Sequence, residues 1–161
     1  MKVNYVGVGE FLTSESPGEV VKTMALGSCV AVTMLDPKNR VVGLLHVALP
    51  DSSINKKRAE EKPGMFADTG IDMLLGEMKK YGYDRKSRLT IKLAGGARIM
   101  DPNNTFNIGK RNILAVRKYL WRYRLGAIAE DVGGTISRTI AVDVDTGKVK
   151  ISSPGRGDWE L

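Results

Sequence analysis

The spacing of apolar residues predicts a first half built from strands. Short apolar or alternating runs occur at residues 5–11, 19–26, 30–35 and 40–49. Runs of this length that are rich in β-branched residues are typical of strands. The polar turn at residues 36–39 joins the last two runs, so we expect them to form a hairpin.

A helical period appears after residue 66. Apolar residues spaced i, i+3, i+4 and i+7 predict a helix with Asp68 or Thr69 as its N-cap, which ends at Tyr81 and Gly82. The same spacing predicts a second helix over residues 108–123, with Asn107 as its N-cap.

Strands return between and after these helices. Buried strands are predicted at residues 89–94 and 127–132, because both runs are apolar and end at paired glycines. Residues 135–144 and 148–152 predict a last hairpin around the Asp-Thr-Gly turn at 145–147.

Two segments carry no such period. Residues 50–66 are polar and predict a mobile loop, and residues 153–161 predict a frayed C-terminal tail. The order of elements predicts one domain over residues 1–161. We expect the α+β class, as an α/β sandwich in which two mixed β-sheets pack together with a few helices outside.

The composition is typical of a globular domain of ordinary size. The chain has 161 residues, of which 42% are hydrophobic and 27% are charged, enough to bury a core without disulfides. The longest apolar runs fall short of the roughly 18 residues of a membrane span, so we expect no membrane insertion. With no signal-peptide pattern at the N-terminus, cytoplasmic localisation is expected.

The formal net charge of +7 favours acidic partners. The basic residues are dispersed in short groups among acidic and apolar neighbours, which is typical of a solvated surface. We therefore expect no nucleic-acid partner and favour an acidic protein.

The single cysteine, Cys29, is the first candidate for chemistry. It follows Gly27 and Ser28 directly after a predicted strand, and such a turn can expose a thiol. The backbone N–H groups of Ser28 and Cys29 would then suit an oxyanion. The alternative is that Cys29 is a small buried hydrophobe, the commoner fate of a lone cysteine.

The single histidine, His46, lies in a strand that the hairpin places beside Cys29. An imidazole in reach of the thiol could take its proton, and its positive charge would lower the thiol pKa. Thr23 could offer its hydroxyl to His46. The alternatives are a core histidine and an ordinary strand threonine. One Cys and one His are too few for a zinc site, so we expect no metal and no cofactor.

The chain resembles the CheD family of bacterial chemoreceptor glutamine deamidases over almost its whole length. Six segments carry the resemblance. They are TMALGSCVAV (23–32), LHVALPDS (45–52), KPGMFAD (62–68), LAGGA (93–97), NIGKRN (107–112) and AEDVGG (129–134).

The resemblance implies a catalytic triad of Cys29 as nucleophile, His46 as general base and Thr23 as third member. It implies a protein-glutamine deamidase that converts glutamines on the cytoplasmic coiled coil of chemoreceptors to glutamates. It further implies binding to the phosphatase CheC and, for some members, receptor methylesterase activity. The competing hypothesis is a non-enzymatic adaptor that binds acidic chemotaxis proteins such as CheC.

Overall fold

Alternating and β-branched residues form ten strands in the computed structural model, which describes residues 1–99 and 107–161. The strands form two sheets of five. Their bounds are β1 Lys2–Tyr5, β2 Phe11–Ser14, β3 Glu19–Leu26, β4 Val30–Asp36, β5 Val41–Val47, β6 Thr90–Gly95, β7 Ala129–Val132, β8 Arg138–Asp143, β9 Val149–Ser153 and β10 Gly157–Glu160.

Both sheets are mixed. The first has the strand order β1-β3-β8-β9-β10 and the second the order β2-β5-β4-β6-β7. In each sheet one edge strand is parallel to its neighbour, β1 to β3 and β7 to β6, while the other pairs are antiparallel. The predicted α+β sandwich of two mixed sheets is therefore confirmed.

Three α-helices lie in the described residues, together with single 3₁₀ turns at Ser52–Ile54 and Pro63–Met65. The helices are α1 Lys56–Glu61, α2 Ala67–Lys80 and α3 Ile108–Arg122. The apolar faces of α2 and α3 pack on the outer side of the second sheet. The resulting order of layers is first sheet, second sheet, helices.

Strand β5 is buried along its whole length because it contributes to both cores. Val41 and Leu45 face the helices, whereas Val42 and Leu44 face the first sheet. Since side chains alternate along a strand, His46 points the same way as Val42 and Leu44. The only histidine thus enters the space between the two sheets.

A buried arginine joins the sheets at one end. Arg138 of β8 donates from Nε to Asp131 of β7 at 2.9 Å and from Nη1 to the carbonyls of Gly95 and Gly133 at 3.4 and 3.0 Å. Trp159 of β10 donates to the other oxygen of Asp131 at 2.7 Å. The charge is paired and several of its donors are used, as a buried cation requires.

Most predicted elements are present, and the 30–35 and 40–49 hairpin is confirmed by the β4–β5 pairing. The strand predicted at 5–11 is wrong. Strand β1 ends at Tyr5, and residues 6–10 cross between the sheets with Gly9 at a φ of +75°. Glycine tolerates that left-handed conformation, which no regular strand contains.

Two irregular segments were predicted incorrectly. Residues 50–66 are not a structureless loop, because they contain α1 and the two 3₁₀ turns. Residues 153–161 are not frayed, because β10 pairs antiparallel with β9. The N-cap of α2 is also Phe66, whereas Asp68 accepts hydrogen bonds from Ser52. Contacts with other parts of the chain, such as Trp159 with Asp131 and Ser52 with Asp68, supply the order that local composition lacks.

No helix within residues 1–99 or 107–161 is both long enough and apolar enough to span a membrane.

We predict that Leu74→Ala lowers the free energy of unfolding by about 2–5 kcal/mol, because Leu74 is fully buried between α2 and the second sheet. Urea denaturation monitored by circular dichroism measures this. Met73→Ala is the matched control, because Met73 directly precedes Leu74 but is 39% exposed. It should change the free energy of unfolding by no more than about 0.5 kcal/mol. Equal losses in the two variants would contradict the assigned packing of α2.

Candidate active site

A β-bulge in β3 shapes the first wall of the site. Thr23 pairs with Ile140 and Leu26 pairs with Arg138, so Met24 and Ala25 together oppose the single residue between those partners. The extra residue resets the alternation of the strand. Thr23 and Leu26 are consequently both buried, although three positions would normally put them on opposite faces.

The Thr23 hydroxyl bridges the two sheets. Its Oγ1 donates to the carbonyl of Val6 at 2.7 Å and lies 2.7 Å from Nδ1 of His46. A carbonyl can only accept, so the single hydroxyl hydrogen of Thr23 is used there. The Thr23 oxygen must then accept from His46, which places the imidazole proton on Nδ1 and the lone pair of the neutral ring on Nε2.

Burial keeps His46 neutral. The residue is 3% exposed, and burial lowers the pKa of its imidazole from 6.5 to about 4, partly offset by the negative charge of Glu10. The segment at residues 6–10 holds the main chain of His46, since the His46 N–H donates to the Glu10 carbonyl and the Gly9 N–H donates to the His46 carbonyl. Its Nε2 is buried and has no hydrogen-bond partner among the described residues.

Cys29 lies just before β4, on the side of the sheet that His46 faces. Ala31 pairs directly with His46, and Cys29 is two residues earlier, so its side chain lies on the same face one diagonal step away. The thiol is half-buried and free of disulfide, and it packs at the border of the core between the sheets.

The turn that carries Cys29 is held by β6 and the residues after it. Gly96 N–H donates to the Cys29 carbonyl at 2.8 Å, and Ala97 N–H donates to the Gly27 carbonyl at 2.8 Å. Gly95 has a φ of +109°, and a Cβ added there would lie 2.2 Å from the Cys29 carbonyl oxygen. Only glycine allows β6 to approach the nucleophile candidate this closely.

The resting thiol is protonated. Burial raises the pKa of Cys29 above its ordinary value, opposite to the lowering that a neighbouring imidazolium would cause. His46 does not supply that charge, because burial lowers its own pKa to about 4. The site therefore contains a neutral thiol and a neutral imidazole whose available nitrogen is Nε2.

The backbone N–H groups predicted to hold an oxyanion lie at the same turn. Within the described part of the chain, the backbone N–H groups of Ser28 and Cys29 have no acceptor. A cleft of about 460 Å³ opens beside Ser28, with Ile99 and Ile113 among its lining residues. Ser28 lines this cleft, whereas Cys29 and His46 are not among its lining residues, so the oxyanion role of the Ser28 and Cys29 N–H groups stays a prediction.

Asn112 is a site residue that the sequence analysis did not single out. It is fully buried on α3, and its Nδ2 donates to the carbonyls of Ser28 and Ala48 at 3.0 Å each. The Ser28 carbonyl directly precedes Cys29, and the Ala48 carbonyl follows the strand of His46. One side-chain amide therefore joins these two segments. The available signal was a polar residue next to Ile113 on the apolar stripe of α3.

No group of three or more His, Cys, Asp or Glu side chains arranged to hold a metal ion occurs in the ranges that the structure describes.

The fold and the site define a class: an α+β sandwich with a thiol and a buried, threonine-bound imidazole at one end. A family profile described as CheD chemotactic sensory transduction matches residues 48–153. The chain belongs to the CheD family. The predicted resemblance is thereby confirmed.

Several curated proteins are similar over nearly their full length. A "Probable chemoreceptor glutamine deamidase CheD" of Syntrophotalea carbinolica is 52% identical, over 97% of each chain. A protein of Syntrophus aciditrophicus with the name "Probable chemoreceptor glutamine deamidase CheD 1" is 44% identical over 93% of each chain. The "Chemoreceptor glutamine deamidase CheD" of Thermotoga maritima is 40% identical, over 95% of this chain and 93% of that one.

We predict that His46 makes the protein less stable in acid. Because the folded pKa of about 4 lies below the value of 6.5 in the unfolded chain, the unfolded state binds the proton first as pH falls. The stability that comes from the neutral ring is fully present above pH 6.5 and is lost as the pH falls towards 4. At about pH 5 the loss is about 2 kcal/mol. Urea denaturation at about pH 5 and 7.5 measures it. His46→Gln should show a smaller difference between the two pH values, and an unchanged difference would contradict the assignment.

Exchanging the amide of Asn112 for a carboxyl should destabilise the protein. Asn112→Asp keeps the shape but turns an oxygen towards two carbonyl oxygens, so we expect a loss of at least about 2 kcal/mol near neutral pH. Urea denaturation provides the measurement. Asn55→Asp is the matched control, since Asn55 Oδ1 only accepts a hydrogen bond, from Arg58 N–H, and an aspartate cap accepts equally well. Similar stability of the two variants would argue against the contacts of Asn112.

Proposed function

We propose that this protein is a protein-glutamine deamidase that converts glutamine side chains of chemoreceptors to glutamate. Cys29 acts as the nucleophile, His46 as general base and acid, and Thr23 as the residue that orients His46. The observation that carries the proposal is the 2.7 Å contact between Thr23 and His46 Nδ1, which leaves Nε2 as the proton acceptor. The names of the relatives supply the substrate class.

The first step forms a thioester. His46 Nε2 removes the thiol proton as the Cys29 sulfur attacks the carboxamide carbon, and the carbonyl oxygen becomes an oxyanion held by the N–H groups of Ser28 and Cys29. The oxyanion then re-forms the carbonyl while the C–N bond breaks. His46 returns its proton to the nitrogen, which leaves as ammonia.

The second step consumes water. His46 Nε2 takes a proton from a water molecule, whose oxygen attacks the thioester carbon. Collapse of this intermediate breaks the C–S bond, the proton returns to sulfur, and a glutamate remains on the substrate. Atoms balance without a cofactor: one amide and one water give one carboxyl group and one ammonia.

The neutral thiol of Cys29 and the neutral imidazole of His46 suit this order of reaction steps. Proton transfer from a thiol of raised pKa to an imidazole of lowered pKa is unfavourable in the empty site. It becomes favourable only as the sulfur bonds to carbon and gives up its charge to the oxyanion. We therefore expect slow oxidation and alkylation of the free thiol near neutral pH, because both reactions need the thiolate.

The protein is proposed to act in the cytoplasm on the coiled-coil part of the receptor. The CheC contact and the methylesterase activity stay predictions from the family resemblance. An adaptor without catalysis remains the competing hypothesis, and deamidation itself separates the two.

We expect the wild-type protein to raise the mass of receptor cytoplasmic fragments by about one unit at defined glutamines, since OH replaces NH₂. Peptide mass spectrometry after incubation measures this. Cys29→Ala should abolish the change. Thr23→Val should slow it about tenfold or more, because the ring loses the acceptor that selects its tautomer. Unmodified glutamines after incubation with wild-type protein would overturn the proposed function.

A further inference from the structure

A carboxylate is bonded to the same peptide group that accepts the Thr23 hydroxyl. The Val6 carbonyl accepts that hydroxyl at 2.7 Å, and the Gly7 N–H donates to Oε1 of Glu10, also at 2.7 Å. The Val6 carbonyl and the Gly7 N–H are the two polar groups of one planar peptide bond. This peptide is therefore hydrogen-bonded on one side to the site and on the other to a carboxylate.

The peptide completes a chain of hydrogen bonds between the imidazole and the carboxylate. Nδ1 of His46 donates to the Thr23 oxygen, and the Thr23 hydroxyl donates to the carbonyl of the peptide. The N–H of the same peptide then donates to Glu10. All three donors point away from the imidazole and towards the carboxylate. In such a chain each bond polarises the next and strengthens it by about 10–30%.

The turn at residues 7–10 holds the carboxylate in place. The Glu10 N–H donates to the Gly7 carbonyl at 3.0 Å, which closes the turn. A Cβ on Gly7 would lie 2.8 Å from Oε1 of Glu10, so a larger residue there would push the carboxylate away. On another side, a Cβ on Gly64 would lie 2.2 Å from the Gly9 carbonyl oxygen, so the second 3₁₀ turn packs directly against this turn.

The main chain of the same turn is bonded to His46. The His46 N–H donates to the Glu10 carbonyl at 3.1 Å, and the Gly9 N–H donates to the His46 carbonyl at 2.9 Å. The turn thus contacts His46 twice, at its backbone directly and at its ring through the chain of bonds. The position of the carboxylate relative to the ring is fixed by both connections.

Hydrogen bonds carry the influence of Glu10 better than solvent does. The Glu10 side chain is exposed, so its charge acting across water is screened. Glu61 and Lys62 line a cleft with it, and their charges oppose each other. Thr23 and His46 are 0% and 3% exposed, and hydrogen bonds are stronger in such surroundings. The negative charge of Glu10 raises the pKa of His46, against the effect of burial.

We propose that Glu10 is a positioning residue that acts on His46 through the peptide between Val6 and Gly7. By way of Thr23, its carboxylate orients the ring and stabilises the imidazolium that forms when the thiol loses its proton. The threonine hydroxyl carries no charge that could do this, whereas the carboxylate at the end of the chain does. This inference rests on the proposed function, because it assigns a further residue to the same reaction.

The first test measures kcat and KM for deamidation of a receptor cytoplasmic fragment. Glu10→Gln keeps an oxygen for the Gly7 N–H but removes the charge. We expect it to lower kcat about fivefold and to leave KM within about twofold, because the imidazolium forms only in the transition state. Glu10→Ala should lower kcat at least as far. Glu15→Gln, at an exposed glutamate between β2 and β3, is the matched control and should leave both constants within about twofold.

Gly7→Ala tests the bond while the charge is retained. The added Cβ would meet the flexible end of the Glu10 side chain and not the backbone, so the carboxylate can swing away and the fold should persist. We expect kcat to fall about as far as in Glu10→Gln. The double variant should fall little further, because both changes remove the same interaction.

Nuclear magnetic resonance tests the effect on the ring without any substrate. His46 is the only histidine, so protein labelled with ¹⁵N-histidine reports this ring directly. We expect the Nδ1–H proton resonance to move upfield in Glu10→Gln, since its hydrogen bond is weaker. The ring should also stay neutral to a lower pH, because a negative charge that raised its pKa is gone. Cys29, which lies on the side that His46 faces, is the same in every variant. Glu15→Gln should leave the spectrum as in the wild type.

Three results would overturn the proposal. One is a wild-type kcat in Glu10→Gln. Another is a lowered kcat with an unchanged His46 spectrum, because the effect would then not pass through the ring. The third is a raised KM at unchanged kcat, which would make Glu10 a substrate contact. A wild-type protein that modifies no glutamine would overturn the proposed function instead, and the spectra would still decide whether Glu10 acts on His46.

Discussion

One hydroxyl hydrogen constrains the chemistry of this protein. Thr23 gives it to the Val6 carbonyl and must accept the next hydrogen bond from His46. The direction of that chain is decided by the carbonyl, which has no hydrogen to offer. It determines which ring nitrogen carries a lone pair, and the general-base role proposed for His46 depends on that nitrogen being Nε2.

The rest of the sandwich buries this chain of bonds. Thr23 belongs to the first sheet and His46 to the second, so the bond exists only while the sheets keep their spacing. Arg138 joins the sheets near Gly95, and Asn112 joins the turn before Cys29 to the end of the His46 strand. Both side chains are buried and donate to backbone carbonyls, so their loss would leave those carbonyls unpaired in the core.

Much of the fold could be predicted from the sequence because its signals are local. The period of two in β3, β4 and β5 and the helical period of α2 and α3 each depend on neighbouring residues alone. The errors occurred where distant contacts decide the structure. The segment of β10 is held by the hydrogen bond from Trp159 to Asp131, and the start of residues 50–66 by the bond from Tyr119 to Asp51. The crossing at residues 6–10 is held by its bonds to Thr23 and His46.

The sequence by itself determined the reactive groups: one thiol, one imidazole, and a glycine-serine turn before the thiol. It also determined the two periods that build the sheets and the helices. Only the tertiary structure decided the state of those groups, because tautomer and pKa depend on burial and on hydrogen-bond partners far away in the chain. The imidazole of His46 is neutral for this reason, and Asn112 belongs to the site because α3 packs against the Cys29 turn.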